Sequence, residues 1–508
     1  MNTKSKIIYQ SQLGTLIVPY KSKQLMAIEK GTALYDNVYH KWVEYVGFVI
    51  PYKGQNAYAT FNRSNDELIR HLPIYDIENQ PIITPKYMKR EYEIEGISSM
   101  RDVQTYMINQ IESSKRNNNS WFINLQTASG KTVLAVYLSL QFRYKTWISS
   151  FSKGILNQWE ETYQNYTNID KDRILRVTPS VLNKILSGDI DPDDYDIFIS
   201  TLVSLSSYGK KNNDFGVLED IFNMCGIGLF IIDEAHRNIS NIVKINSVVN
   251  VKYQLFLSAD FSQGDYRKEE MFKKVFKNTT LLIPPRDMRN SLKYTRICLI
   301  NFNTHPNSIE ANEPFNKYGY SSELYANYQF KKKVMIQSLV YMIRSLSDYN
   351  NLADNEIIKY RHLVLCSNIK HVDLLTEILN NRFKDHAKIM SYHGNINPEL
   401  LNEAKNNADI IVATYSSFST GLDTDNIKYV HSLDQCNKVQ DNQAGGRSRP
   451  LKDGTNAYYF MYIDNGFSYC KNKLRTRLEY LRYNKAKDEK IYEYFYEPDD
   501  NYEEIDEV

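Results

Sequence analysis

Six consecutive residues, Thr127, Ala128, Ser129, Gly130, Lys131 and Thr132, have the types and order that a phosphate chain requires. Successive backbone N–H groups at a helix N-terminus cradle a β-phosphate, an ammonium reaches β and γ oxygens, and a hydroxyl ligates Mg2+. Lys131 and Thr132 supply the last two groups. Further along stand Asp233, Glu234, Ala235 and His236. A carboxylate at the end of a strand holds Mg2+ through water, and a second one beside it orients and deprotonates an attacking water. Asp233 suits the first task and Glu234 the second. Together the two clusters describe a site for hydrolysing a nucleoside triphosphate.

Both clusters need elements that present them. Trp121 to Leu125 is a short apolar run, read as a buried strand, and Val133 to Leu140 is an almost continuously apolar helix. The loop between them carries the phosphate-binding residues, with Leu125 where the full glycine-rich pattern has Gly. Leu229 to Ile232 is a second apolar run, read as a central strand that ends in Asp233. Arg173–Val177, Asp196–Thr201 and Tyr253–Asp260 read as further strands, and Gly154–Trp159 as an amphipathic helix. Strands alternating with helices imply a parallel sheet whose chemistry sits at the strand C-termini.

A second α/β unit opens near Lys293. Asn327 to Leu346 is expected to be one long helix. Strands are expected at His362–Ser367, Lys388–His393, Ala408–Thr414 and Lys428–Leu433, and a basic helix at Asn465–Lys487. Before the first unit, residues 1–95 alternate short β-like runs with turns. They read as a small β-rich accessory domain that supplies no chemistry, serving either to bind substrate or as a structural cover, and ending in a charged linker from Lys86 to Glu95. The expected division is therefore 1–95, 96–290, 291–487 and an acidic, disordered tail over 488–508.

The chain has 508 residues, 42% of them hydrophobic and 24% charged, with a net charge of +2. Ten acidic residues and one Lys from Asp488 onward carry −9, leaving +11 on the rest. Nucleic-acid contacts must then come from local patches. Five scattered cysteines show no paired metal spacing, which points to a reducing, intracellular compartment. No apolar run is long enough for a membrane span. Abundant Asn, Lys, Ile and 40 Tyr suggest an AT-rich, viral or phage genome.

With these residues in view, the stretch from about 98 to 485 resembles the superfamily 2 helicases of the DEAH-box type. Their motifs occur here in family order. Gln104 matches a Gln upstream of the phosphate loop; Thr127–Thr132 matches motif I, Phe151–Trp159 motif Ia, and Ser200-Thr201 motif Ib. Asp233–His236 matches motif II, Ser258–Asp260 motif III, and Leu363–Asn368 motif IV. Thr414–Asp423 matches motif V and Gln443–Arg449 motif VI. The form of motif V, with Thr414, Gly421, Leu422 and Asp423, is most similar to the UvsW-type phage helicases and the poxviral transcript-release helicases.

The resemblance implies two tandem RecA-like parallel-sheet domains behind the small β-rich domain, an α/β fold with ATP and Mg2+ as cofactors. It implies ATP contacts from Gln104, Thr127, Ala128, Ser129, Gly130, Lys131, Thr132, Gly421 and Asp423. Thr132 and Asp233 would hold the metal. Gln443, Arg447 and Arg449 would join Asp233 and Glu234 in catalysis, with the arginines reaching over from the second domain. Ser152, Thr201 and Thr414 match positions that contact nucleic-acid phosphates, so little sequence specificity is expected. His236, Ser258 and Asp260 would couple hydrolysis to movement, although Asp260 stands where relatives carry Thr.

The implied function is an ATP-dependent helicase or translocase, with DNA favoured over RNA: branched duplexes, R-loops or transcript release. The competing reading is a nucleic-acid-stimulated ATPase that displaces proteins or transcripts without separating strands. The expected partners are nucleic acid and the transcription or replication machinery, and the expected state is a monomer without a membrane.

Overall fold

The computed structural model describes residues 7–498 except 13, 19–32, 37–40, 45–46, 62–75, 96–99, 126–128, 152, 260–271, 278, 292–294, 318, 348–359, 420–425, 436–440, 442–443, 446–450, 452–454 and 485–489. Its chain divides into two compact units, Met1–Met288 and Arg289–Val508. Among the described residues no helix is long and apolar enough to cross a membrane.

The first unit begins with a β-rich sheet. Its strands are β1 (Ile7–Gln10), β2 (Gly14–Ile17), β5 (Gly47–Tyr52), β6 (Gln55–Phe61) and β7 (Asp76–Asn79), in the order β5-β6-β2-β1-β7. A separate hairpin is formed by β3 (Ala33–Asp36) and β4 (Lys41–Glu44). Then come α1 (Asp102–Ser114), β8 (Ser120–Asn124), α2 (Lys131–Phe142), β9 (Thr146–Ser150), α3 (Lys153–Tyr166), β10 (Ile174–Arg176) and β11 (Ile197–Thr201). They are followed by α4 (Leu202–Lys211), α5 (Gly216–Cys225), β12 (Leu229–Ile232), α6 (Ile239–Asn246), β13 (Tyr253–Ser258) and β14 (Thr280–Leu282).

Strands β8 to β14 make one parallel sheet, ordered β10-β11-β9-β12-β13-β8-β14. A parallel sheet covered on both faces buries its central strands, which explains why β12 and most of β8 read as apolar runs and why β9 is buried throughout despite Thr146, Ser149 and Ser150. The order carries a consequence for chemistry. Strands β8 and β12 flank β13, so Leu125 after β8 and Asp233 after β12 leave the sheet at the same edge, on either side of β13.

The N-terminal sheet does not hang free of this unit. Leu16, Ile50, Tyr52, Ala57 and Ala59 join Trp147, Phe198, Leu205 and Ile242 in one buried cluster. Polar ties reinforce the seam: Ser11 Oγ donates to Asn246 O at 2.8 Å, and Gln80 Nε2 to Ser247 O at 3.0 Å. Residues Lys86–Glu95, expected as a linker, lie against the unit instead. Met88 and Tyr92 are buried, and Asp196 accepts from Tyr92 Oη at 2.6 Å, Arg173 Nε at 2.9 Å and Lys89 N at 3.0 Å. The charge of this stretch hid the two apolar residues that anchor it.

At Gly14 the seam is closest: a Cβ there would lie 2.3 Å from Asn246 O. Gly14→Ala is therefore expected to lower the stability of the first unit by about 1–3 kcal/mol, the usual cost of overpacking. Urea unfolding followed by tryptophan fluorescence checks this; an unchanged midpoint would show that the seam yields freely.

The second unit is built around β15 (Thr295–Phe302), a small hairpin of β16 (Phe315–Asn316) and β17 (Gly319–Tyr320), α7 (Ser322–Lys332), α8 (Val334–Leu346), β18 (Arg361–Cys366), α9 (Ile369–Phe383) and β19 (Ile389–Tyr392). After these come α10 (Pro398–Asn407), β20 (Ile410–Thr414), β21 (Ile427–Ser432), β22 (Ala457–Asp464), α11 (Ser468–Asn484) and β23 (Tyr492–Phe495). Its sheet, ordered β19-β20-β18-β21-β22-β15-β23, is again parallel throughout.

Two expectations are corrected here. The single helix expected over Asn327–Leu346 is two helices, because Lys333 takes a left-handed backbone with φ of 61° and ends α7. The tail expected to be disordered from 488 contains a strand, β23, paired in parallel with β15. Its acidic average concealed the aromatic run Tyr492, Tyr494, Phe495 and Tyr496, which extends the sheet past β15; residues 499–508 lie outside the described ones.

A buried polar chain crosses the middle strands of this sheet. Ser347 Oγ lies 3.2 Å from His362 Nε2, His362 Nδ1 lies 3.1 Å from His431 Nε2, and His431 Nδ1 lies 3.0 Å from Tyr462 Oη. Burial pushes His362 down to about 3 and His431 well below its ordinary value, so both are neutral in the fold. In the unfolded chain they protonate near pH 6.5, and the folded state cannot follow. Their contribution is thus fully present above about pH 6.5 and is lost as pH falls below it, by roughly 1.4 kcal/mol per histidine per pH unit. We expect the second unit's urea midpoint to fall from pH 7 to 5.5, and the double change His362→Phe, His431→Phe to flatten that dependence.

Candidate nucleotide site

The phosphate loop and the acidic turn meet as the strand order requires. Strand β8 runs into Leu125, whose N–H donates to Ser258 O at 3.0 Å and so ties the loop's start to the end of β13. Gly130 then caps α2 with φ of 85°, a left-handed conformation that favours glycine. A Cβ there would stand 2.5 Å from Gln104 Nε2. With Gly130 in this position the first residues of α2, Lys131 and Thr132, stand where the helix leaves its N–H groups unpaired.

On the other side of β13, Asp233 ends β12 with its N–H donating to Ser149 O at 2.9 Å. The backbone turns at Glu234, which has φ of 52°, a left-handed conformation that costs a non-glycine residue about 1 kcal/mol. Three contacts hold this turn: Glu234 N–H to Asp233 Oδ1 at 2.8 Å, Ala235 N–H to Leu257 O at 2.9 Å, and Arg237 N–H to Glu234 O at 2.8 Å. The result is that Glu234 Oε1 sits 3.7 Å from Lys131 Nζ, with both side chains partly accessible.

His236 faces the same carboxylate. Its Nδ1 lies 3.3 Å from Glu234 Oε2 and 2.8 Å from Ser258 Oγ. Burial pushes His236 down to about 4, so it is a neutral imidazole near pH 7. The same burial, with Glu234 as a like-charged neighbour, pushes Asp233 up to about 6, while Lys131 pulls the other way. Two carboxylates, the Lys131 ammonium and a neutral ring thus converge at the edge of the sheet, with Arg237 close enough to feel the Glu234 charge.

The remaining sequence candidates divide clearly. Gln104 spends both ends of its amide within the chain: Oε1 accepts from Arg101 N–H at 2.8 Å and Nε2 donates to Gly130 O at 3.0 Å. It fastens α1 to the phosphate loop. Ser129 is buried beside it. Thr201 and Thr414 end β11 and β20, and each hydroxyl caps the helix that follows. Thr201 Oγ1 accepts from Ser204 N–H at 3.1 Å, and Thr414 Oγ1 from Ser417 N–H at 3.1 Å. Thr127, Ala128, Ser152, Asp260, Gly421, Asp423, Gln443, Arg447 and Arg449 lie outside the described residues.

One participant carried no role in the sequence. Trp159, fully buried on α3, donates its indole N–H to Asp233 Oδ2 at 3.0 Å. A Trp on the apolar face of an amphipathic helix reads as core, and only the packing of α3 against the sheet turns its one polar atom toward the site.

Residues 97–263 match the family model described as the type III restriction enzyme, res subunit. The chain is 22% identical over 408 residues to a protein of Acanthamoeba polyphaga mimivirus whose name assigns it provisionally as an ATP-dependent RNA helicase, covering 75% of this chain and 70% of that one. Among solved structures, S. cerevisiae Dbp5 bound to RNA and ADP BeF3 has a TM-score of 0.51 at 12% identity, over 78% of this chain and 89% of its own. The ATP-dependent type ISP restriction-modification enzyme LlaBIII, bound to DNA, has a TM-score of 0.54 at 13% identity, over 78% of this chain and 31% of its own. Both α/β units are accordingly RecA-like. The family-model match and the viral relative support an ATP-hydrolysing helicase of the superfamily 2 type.

Proposed function

We propose that this helicase uses ATP to drive strand movement on DNA, acting on branched duplexes, R-loops or transcripts through contacts to the backbone. The observation that carries the ATP half is the meeting of Lys131, Asp233 and Glu234 across β13. The donor set suits Mg2+: only oxygen ligands are offered, the Asp233 carboxylate and the Thr132 hydroxyl, as a hard divalent cation prefers. Bound there with ATP, Mg2+ would neutralise developing phosphate charge. Around it the chain's own groups act. Lys131 binds the β and γ oxygens, and Glu234 orients the attacking water and takes its proton. His236, neutral and held by Ser258, orients Glu234 without adding a charge.

The DNA half rests on the form of motif V and on the match to a restriction-enzyme subunit. A second reading, RNA as substrate, is favoured by the name of the mimivirus relative. Backbone recognition through Ser152, Thr201 and Thr414 suits either polymer. The deciding experiment compares ATP turnover with single-stranded DNA, duplex, forked DNA and RNA. Stimulation by RNA alone would overturn the DNA assignment, and stimulation by none of them would remove nucleic acid from the mechanism. Strand-displacement and protein-displacement assays on the same preparation separate a helicase from a remodelling ATPase.

A further inference from the structure

The first unit holds a second connection between its two catalytic segments, made through α3. This helix packs against α2, β9 and β11. Trp159 on its buried face donates to Asp233 Oδ2 at 3.0 Å. One turn further, Tyr163 is also fully buried, and its hydroxyl lies 2.8 Å from Ser139 Oγ on α2. Ser139 Oγ in turn donates to Val136 O at 2.7 Å, which leaves the Tyr163 hydroxyl as the donor to Ser139. Spacing of four residues places both ties on one face of the helix. So a single rigid element is fastened to the phosphate-loop helix at one point and to the metal-facing carboxylate at another. The same helix begins at Lys153, the residue that follows Ser152 in the sequence, shortly after β9 ends at Ser150.

We propose that Trp159 is a positioning residue that holds Asp233 in its cation-binding rotamer, and that α3 carries nucleic-acid engagement at its N-terminus to that carboxylate. The second half rests on the nucleic-acid reading above; the first does not. The geometry explains why an indole is needed. Asp233 Oδ1 is taken by the Glu234 N–H and Oδ2 by Trp159, so both oxygens are pinned and the unused lone pairs have one direction. Without the indole N–H, a buried carboxylate oxygen loses its partner and rotates to recover one. A shift of α3 moves the indole, and with it the carboxylate.

The test replaces Trp159 by Phe, and separately by 3-benzothienylalanine, which keeps the bicyclic shape and deletes only the N–H. Two readouts are taken from the full chain. In the first, binding of a fluorescent ATP analogue is titrated with Mg2+. We expect unchanged affinity without Mg2+ and at least a tenfold rise in the Mg2+ needed for half-maximal binding, the fold-change that losing a hydrogen bond to a charged group implies. In the second, the ratio of ATPase rates with and without single-stranded DNA is expected to fall toward one. A benzothienyl variant with the wild-type Mg2+ requirement overturns the positioning role. A variant with a raised Mg2+ requirement but full stimulation overturns the relay through α3. Absence of stimulation in the wild-type chain overturns the relay by removing the nucleic-acid reading under it, and leaves the Mg2+ titration as the measure of positioning.

Discussion

Glu234→Gln is expected to bind ATP as tightly as the wild type and to turn it over about 10^2- to 10^4-fold more slowly, the range for loss of a positioned general base. The argument is geometric and electrostatic. Glutamine keeps the length and one acceptor oxygen, so the turn held by Asp233 Oδ1 and Leu257 O survives. Removing the charge also removes the like-charged neighbour that helps raise Asp233, which leaves Asp233 readier to ionise and hold a cation. What is lost is the base itself. Lys131→Ala complements this test. Its Nζ lies 3.7 Å from Glu234, and its loss is expected to abolish hydrolysis while weakening ATP binding. Equilibrium nucleotide binding and single-turnover hydrolysis measured together distinguish the two. Near wild-type hydrolysis by Glu234→Gln would mean that another group takes the proton.

The second large effect concerns the arginines of motif VI. Arg447→Ala is expected to lower kcat for ATP by about 10^3-fold or more with ATP binding largely intact, because an arginine finger acts on transition-state charge. In relatives the two arginines follow the Gln by four and seven residues. Here Arg447 keeps the first spacing from Gln443, Arg449 falls one residue short of the second, and Pro450 occupies it. On a continuous helix that shift turns a side chain by about 100°. Pro450 disfavours helical geometry at the residue before it. Arg449→Ala is therefore expected to cost less than Arg447→Ala. The opposite order in steady-state kinetics would make the shifted arginine the finger.

Much of the candidate nucleotide site is legible in the amino-acid order alone. Chemistry at phosphate demands a glycine-bearing turn, a lysine and a hydroxyl at a helix start, and paired carboxylates after an apolar strand. Those demands are local, so Gly130, Lys131, Asp233 and Glu234 declare themselves. The parallel sheets are legible for a similar reason: strands buried on both faces leave unbroken apolar runs.

Other features depend on what lies far away in the chain, and no local pattern records that. The nucleotide loop and the acidic turn become neighbours only because β13 inserts between their strands. Gln104 looks free to meet a nucleotide until its amide is seen bound to Arg101 and Gly130. Charged residues around Met88 and Tyr92 disguise a docked segment, and an acidic average disguises β23. Trp159 is the clearest case. Its residue type says only that it is buried, whereas the placement of α3 against β11 and β9 decides that its single polar atom lands on Asp233. Residue chemistry is carried by the sequence; which of those residues face one another is decided by strand order and packing, because both depend on contacts between segments far apart in the chain.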